Sequence, residues 1–158
     1  MFPANFITVE RISAANSAAS KKRVLEELAG LLATASETLT QGAVFDKLLE
    51  RERLGSTGLG HGIALPHARV AGVTAACGAF IQLQSGADFD AIDQQPVDLV
   101  FGLLVPEEAT EEHLQLLAKL ATLFNDEAFC KRLRKARNSE TLLREFIQQE
   151  PMPISASS

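Results

Sequence analysis

Three histidines, one arginine and two hydroxylated residues are the side chains best placed by type and spacing to do chemistry. They are His61, His67, His113, Arg51, Ser56 and Thr57. His67 ends the run GSTGLGHGIALPH, which holds Gly55, Gly58, Gly60 and Gly62. An imidazole has an unperturbed pKa near ~6.5, so it is largely neutral and nucleophilic at pH 7. Such a ring can attack phosphorus and hold a phosphoryl group as a labile covalent intermediate. That reaction needs a ring held still, access for a partner, and positive groups or N–H donors facing the phosphoryl oxygens. Pro66 fixes its own φ and biases Leu65 toward an extended form, so His67 leaves a strand in a defined direction. The glycines allow close backbone approach. Ser56 and Thr57 offer hydroxyls as phosphoryl contacts, and Arg51 offers a two-pronged guanidinium. His113 falls in the expected first turn of a helix after Thr110, where anions are favoured.

Other chemistries fit less well. Gly55 to Gly60 has Walker A spacing, but His61 and Gly62 follow where Lys-Ser/Thr is required. The alternating glycines lack the G-x-G-x-x-G order and precede a strand-like segment, not a helix. No G-x-S-x-G elbow is present. The histidines form no i, i+4 pair and no H-E-x-x-H, so no metal is expected, and no cofactor. Each candidate also has a plain reading. His67 could be structural, Arg51 a helix-end ion-pair partner, His113 an exposed helix residue and His61 a solvated loop residue.

The elements that must position these groups follow from periodicity. Ser20 caps a helix to about Ala33, with Val24, Leu25, Leu28, Leu31 and Leu32 inward. Thr40 caps a second, with Val44, Phe45, Leu48 and Leu49 inward. It ends near Gly55, a candidate left-handed cap. Gly62–Leu65, Ala75–Leu83 and Val97–Val105 read as strands, the last covered on both faces. Ser85–Pro96, with Asp88, Asp90 and Asp93, reads as a solvated loop. A helix from Thr110 to about Asn125 shows a stripe of Leu114, Leu117, Ala118, Ala121 and Phe124. Two more span 126–136 and 139–149. Met1–Ala19 has weak periodicity. The pattern predicts an α/β fold, a three-layer α/β/α arrangement with helices flanking a mixed β-sheet.

A length of 158 residues suits one domain, over 1–150, with 151–158 expected as a disordered tail. The net charge of -5 and the short basic clusters give no nucleic-acid footprint. No bilayer-length apolar run or signal peptide is seen, and Cys77 and Cys130 form no redox or metal motif. A cytoplasmic protein with two reduced thiols and no membrane insertion is expected.

The segment RERLGSTGLGHGIALPHARV resembles the signature of fructose/mannitol-type enzyme IIA proteins of the bacterial phosphoenolpyruvate-dependent phosphotransferase system. SKKRVLEELAGLLA, ADFDAIDQQPVDLVFGLLVP and EEHLQLLAKLATLF are similar in the same order, so the resemblance spans roughly Phe6 to Gln149. FDAIDQQPVDL is especially similar to the nitrogen-regulatory branch. The resemblance implies a three-layer α/β/α fold and a phosphohistidine carrier that is transferase-like and free-standing. It implies His67 as phosphoryl acceptor, with Arg51 and His113 as supporting active-site residues. It also implies an HPr-like phosphocarrier (NPr) as donor, and sensor kinases or potassium transporters as regulated targets. His61 stands where the family often has Asn or another polar residue, which raises the question of a second titratable ring near the site. Ala68 and Arg69 replace a common Gly-Lys. A sugar-transport IIA passing phosphate to a IIB domain, or a binding module with a silent site, remain alternatives.

Overall fold

The computed structural model describes residues 5–149. The expected tail at 151–158 lies outside them. The first two helices form where their caps predict. In α1 (Lys21–Ala33), the Ser20 side chain accepts from the Arg23 N–H; in α2 (Gln41–Leu54), Thr40 accepts from the Ala43 N–H. Each side-chain oxygen satisfies an N–H that the helix itself leaves unpaired. Gly55 ends α2 at φ 159°, ψ 149°, not in the left-handed form expected of it. Its N–H still closes on the Glu52 carbonyl.

Six strands make one mixed sheet. They are β1 (Ile12–Asn16), β2 (Gly58–Gly60), β3 (Ile63–Ala64), β4 (His67–Val70), β5 (Cys77–Ala87) and β6 (Val97–Pro106). The order is β1-β5-β6-β3-β2, with β4 also pairing β6. β6 is therefore shared: β3 lies beside its first half and β4 beside its second, both parallel to it. Leu65 and Pro66 separate them. Proline has no N–H to give a ladder, so the edge is interrupted there. Alternate residues of β6 feed two cores. Leu99, Phe101, Leu103 and Val105 join α3 (Thr110–Phe124), α4 (Glu127–Lys135) and α5 (Ser139–Gln149) on one face. Val100 and Leu104 join α1 and α2 on the other. Cys77 and Cys130 are buried free thiols, one in each core.

Four sequence expectations are corrected. β1 lies in a stretch whose short pattern, half-buried and alternating weakly, gave no periodic signal. β2 and β4 are strands too short to show a period. β5 runs on to Ala87, into the segment read as loop. In α3 the inward stripe is Leu116, Leu120 and Phe124, with Leu117 and Leu123 partly buried; Leu114, Ala118 and Ala121 are exposed. The helix is rich enough in Leu and Ala to support more than one stripe. The stripe it adopts places His113, one turn before Leu116 and Leu117, on the sheet side.

Phe80 is fully buried against the rings of Phe101, Phe124 and Phe146. Phe80→Ala should cost about 3–5 kcal/mol, read as a lower urea midpoint with an unchanged slope.

Candidate phosphoryl-transfer site

His67 opens β4 rather than leaving a strand, and β4 is an edge strand paired only with β6. Both of its ring nitrogens are engaged. Nδ1 lies 2.8 Å from the Leu65 carbonyl oxygen, and Arg51 Nε donates to Nε2 at 3.2 Å. A carbonyl can only accept and a guanidinium can only donate. The ring is therefore the Nδ1–H tautomer, with the Nε2 lone pair facing Arg51. Arg51 sits in the last turn of α2 and also donates from Nη1 to the Gly55 carbonyl at 2.8 Å. It reaches the ring from one helical layer, and His113 reaches it from the other. The His67 and His113 rings meet edge to face, with centroids 5.2 Å apart.

Around the pair lies an open cleft of about 560 Å³ lined by Lys47, Arg51, Leu54, His67, Arg69, Glu107 and His113. Arg69 is two residues after His67 and so projects from the same face of β4. Its Nη1 donates to the Thr110 hydroxyl at 3.1 Å, tying β4 to the start of α3. Lys47 is one turn before Arg51 on α2. Three cations, Lys47, Arg51 and Arg69, and the ring of His113 thus border His67, with Glu50 and Glu107 also on the cleft wall. The rim is apolar at Leu54, which is 84% exposed. Arg69 and Lys47 were not singled out as site residues from sequence. The period of β4 and the i, i+4 spacing to Arg51 are the signals that would have found them.

Ser56 and Thr57 are not brought into this cleft. The Ser56 hydroxyl donates to the Phe89 carbonyl and accepts from the Gly58 N–H at 3.0 Å. The buried Thr57 hydroxyl donates to Glu52 at 2.7 Å. The glycines serve the β2–β3 hairpin, not a phosphate cradle. Gly60 and Gly62 flank its tip at φ 95° and 84°, with His61 between them at φ 58°. This left-handed run is one that glycine adopts at little cost. The His61 N–H donates to Asp93 at 2.9 Å, and its carbonyl accepts from Arg134 at 2.9 Å. His61 lines a separate pocket with Lys131 and Arg134, so it is not a second ring in the His67 cleft. The acidic loop is no free solvated loop either. Phe89, Ala91 and Asp93 brace the glycine hairpin. Among the described residues no cluster of His, Cys, Asp or Glu could hold a metal ion.

Burial pushes His67 below 6.5. The bond to Leu65 and the charge of Glu52 oppose the shift, and the charge of Arg51 adds to it. Burial, then the charges of His67, Arg69 and Arg51, hold His113 lower still, at about 4. The His113 Nε2 is buried without a hydrogen-bond partner. Both rings are thus neutral at pH 7. Ring titration by NMR should give a midpoint of about 4 for His113, rising in His67→Ala, where one charge and part of the packing are lost. Near pH 6.5 and below, the unfolded chain binds more protons at these rings than the folded chain does. Folded stability should therefore fall as pH drops from 6.5 toward 4. Denaturant midpoints across that window check this.

Residues 5–149 match the family model of the phosphoenolpyruvate-dependent sugar phosphotransferase system, EIIA 2. The nitrogen regulatory protein of Pseudomonas aeruginosa is 48% identical over 123 residues, covering 78% of this chain and 80% of that one. The crystal structure of nitrogen regulatory protein IIA-Ntr from Neisseria meningitidis superimposes with a TM-score of 0.83 at 44% identity, over 89% of this chain and 95% of that one. The IIA mannitol structure from Escherichia coli superimposes at 0.72 and 26% identity, over 88% and 97%. The three-layer α/β/α fold, the mixed sheet and these similarities agree, and the chain belongs to the EIIA 2 family, in its nitrogen-regulatory IIA branch, as a phosphohistidine carrier of the phosphotransferase system.

Proposed function

We propose that His67 is the phosphoryl acceptor, attacking through Nε2, and that Arg51, His113 and Arg69 hold the phosphoryl oxygens. The observation that carries this reading is the two-sided hold on the ring. It leaves one lone pair, at Nε2, facing the cleft and its cations. In the step, the Nε2 lone pair forms the new N–P bond. The bond from phosphorus to the donor's imidazole breaks, and its electron pair stays on the donor ring. Nδ1 keeps its proton on the Leu65 carbonyl throughout. The phosphorylated ring is then cationic, which makes it a good leaving group for onward transfer. Arg51 Nε already points at Nε2. The incoming phosphorus displaces that contact, and the guanidinium moves onto the oxygens, where negative charge accumulates.

The donor is a phosphorylated HPr-like protein (NPr) in this reading. The exposed Leu54 provides apolar contact at the rim of the cleft. The work is cytoplasmic; no helix among the described residues is long and apolar enough to cross a membrane. The phosphorylated and free forms differ by a charged group with strong acceptor oxygens, so they present different surfaces to regulated targets such as a sensor kinase or potassium transporter.

Intact-mass analysis after incubation with phosphoenolpyruvate, enzyme I and an HPr-type carrier should find one acid-labile phosphoryl group on the wild type. His67→Ala should carry none while keeping its fold; a labelled His67→Ala sinks the assignment. Arg51→Ala should slow labelling by about 10²–10³-fold and leave the final stoichiometry intact. Wild-type rates in that variant would remove Arg51 from the reaction. Stoichiometric discharge to a sugar-specific IIB domain would instead favour a transport role.

A further inference from the structure

Glu52 is nearly inaccessible, its side chain 3% exposed, yet it lines no part of the cleft. Its carboxylate accepts from three donors: the Thr57 N–H at 3.0 Å, the Thr57 hydroxyl at 2.7 Å, and the Lys21 ammonium at 2.9 Å. Taking such a group out of water is costly, and apolar residues of similar volume often stabilise as well as a buried ion pair. Packing alone is therefore a poor reason for a carboxylate here.

Its bonds lead to the reactive ring by two routes. Thr57, held at its N–H and hydroxyl, accepts from the Leu65 N–H at 3.0 Å through its own carbonyl. The other end of Leu65, its carbonyl, accepts the Nδ1–H of His67. On the second route, the Glu52 carbonyl accepts from the Gly55 N–H at 3.2 Å, and the Gly55 carbonyl accepts from Arg51 Nη1. That bond fixes the fork whose Nε meets Nε2 of His67. Glu52 thus meets both segments that hold the imidazole, the first through its carboxylate and the second through its backbone carbonyl alone.

We propose that Glu52 is a positioning residue for His67: its buried carboxylate, clamped on Thr57 and charge-balanced by Lys21, fixes the tautomer and aim of the ring through Thr57 and Leu65. The inference rests on His67 being the acceptor. Thr57 belongs to the same clamp, which is why its hydroxyl is turned away from the cleft. Lys21, at the first turn of α1, joins the clamp to the second helix of that layer.

The test uses the full chain with Glu52→Gln and Thr57→Ala, and two readouts. One is the ¹⁵N chemical shifts of the His67 ring nitrogens, which report the tautomer. The other is the rate of labelling by a charged HPr-type donor. A glutamine cannot accept from both Thr57 donors and balance Lys21. Glu52→Gln should give a mixture of Nδ1–H and Nε2–H forms and label roughly 10- to 100-fold more slowly. Thr57→Ala keeps the Thr57 backbone bonds and should move both readouts less, in the same direction. A wild-type labelling rate in Glu52→Gln overturns the proposal. So does a slow rate with wild-type ring shifts, since the loss would then lie elsewhere. If Glu52→Gln does not fold, Thr57→Ala decides by the same two readouts. Should the wild type accept no phosphoryl group, the acceptor assignment fails, and the ring shifts alone decide whether Glu52 sets the tautomer.

Discussion

The hydrogen bond from Nδ1 of His67 to the Leu65 carbonyl is the contact on which the site depends. It fixes which nitrogen keeps the proton, and so which one is nucleophilic. It exists because the chain leaves β3, passes Leu65-Pro66 and re-enters the sheet as β4 beside the same neighbour, β6. A continuous strand would alternate its side chains and pair its carbonyls regularly along the edge. The proline interrupts that regularity, and a ring two residues on folds back to a carbonyl just before the break. The Leu103 N–H, bonded to the Pro66 carbonyl at 3.0 Å, holds the interruption against the centre of the sheet.

The cations around the ring act in concert with burial. Burial and neighbouring positive charge both disfavour a protonated imidazole. They hold His67 and His113 neutral at pH 7, as the acceptor role proposed for His67 requires of its ring. In the proposed reaction the same cations would favour the phosphorylated state, because a phosphoryl group brings negative charge among them. On that proposal one arrangement of charges serves the nucleophile before transfer and the phosphoramidate after it. The unpartnered Nε2 of His113 fits this proposal, as a polar atom that an oxygen of the phosphoryl group would partner.

Much of this was legible in the sequence, and the remainder was hidden for physical reasons. Caps at Ser20 and Thr40 and the long apolar run of β6 were readable because each signal is local and strong. His67, Arg51 and His113 were readable as residue types, and the structure brings them together. The stripe of α3 was misread because Leu and Ala recur at too many positions to define one phase. The three-residue β2 and four-residue β4 carry too few residues for a period, so Arg69 was not seen to share a face with His67. The glycine run was read as a phosphate cradle, since left-handed turns and cradles need the same residue. Only the three-dimensional position of Asp93 and Arg134 shows that it is a hairpin tip. Glu52 was invisible, because nothing in RERLGSTG distinguishes a carboxylate that will be buried from its exposed neighbours.

The site also settles a problem of assembly. The outer side of β4 is an open sheet edge, and open edges invite pairing with strands of other molecules. This edge is four residues long, begins at a proline break and carries His67 and Arg69 on one face. The Arg51 guanidinium held beside it, and the charged group that the proposed phosphorylation would add, make it a poor template for a further strand. The residues of the proposed phosphoryl site therefore also keep the sheet from growing.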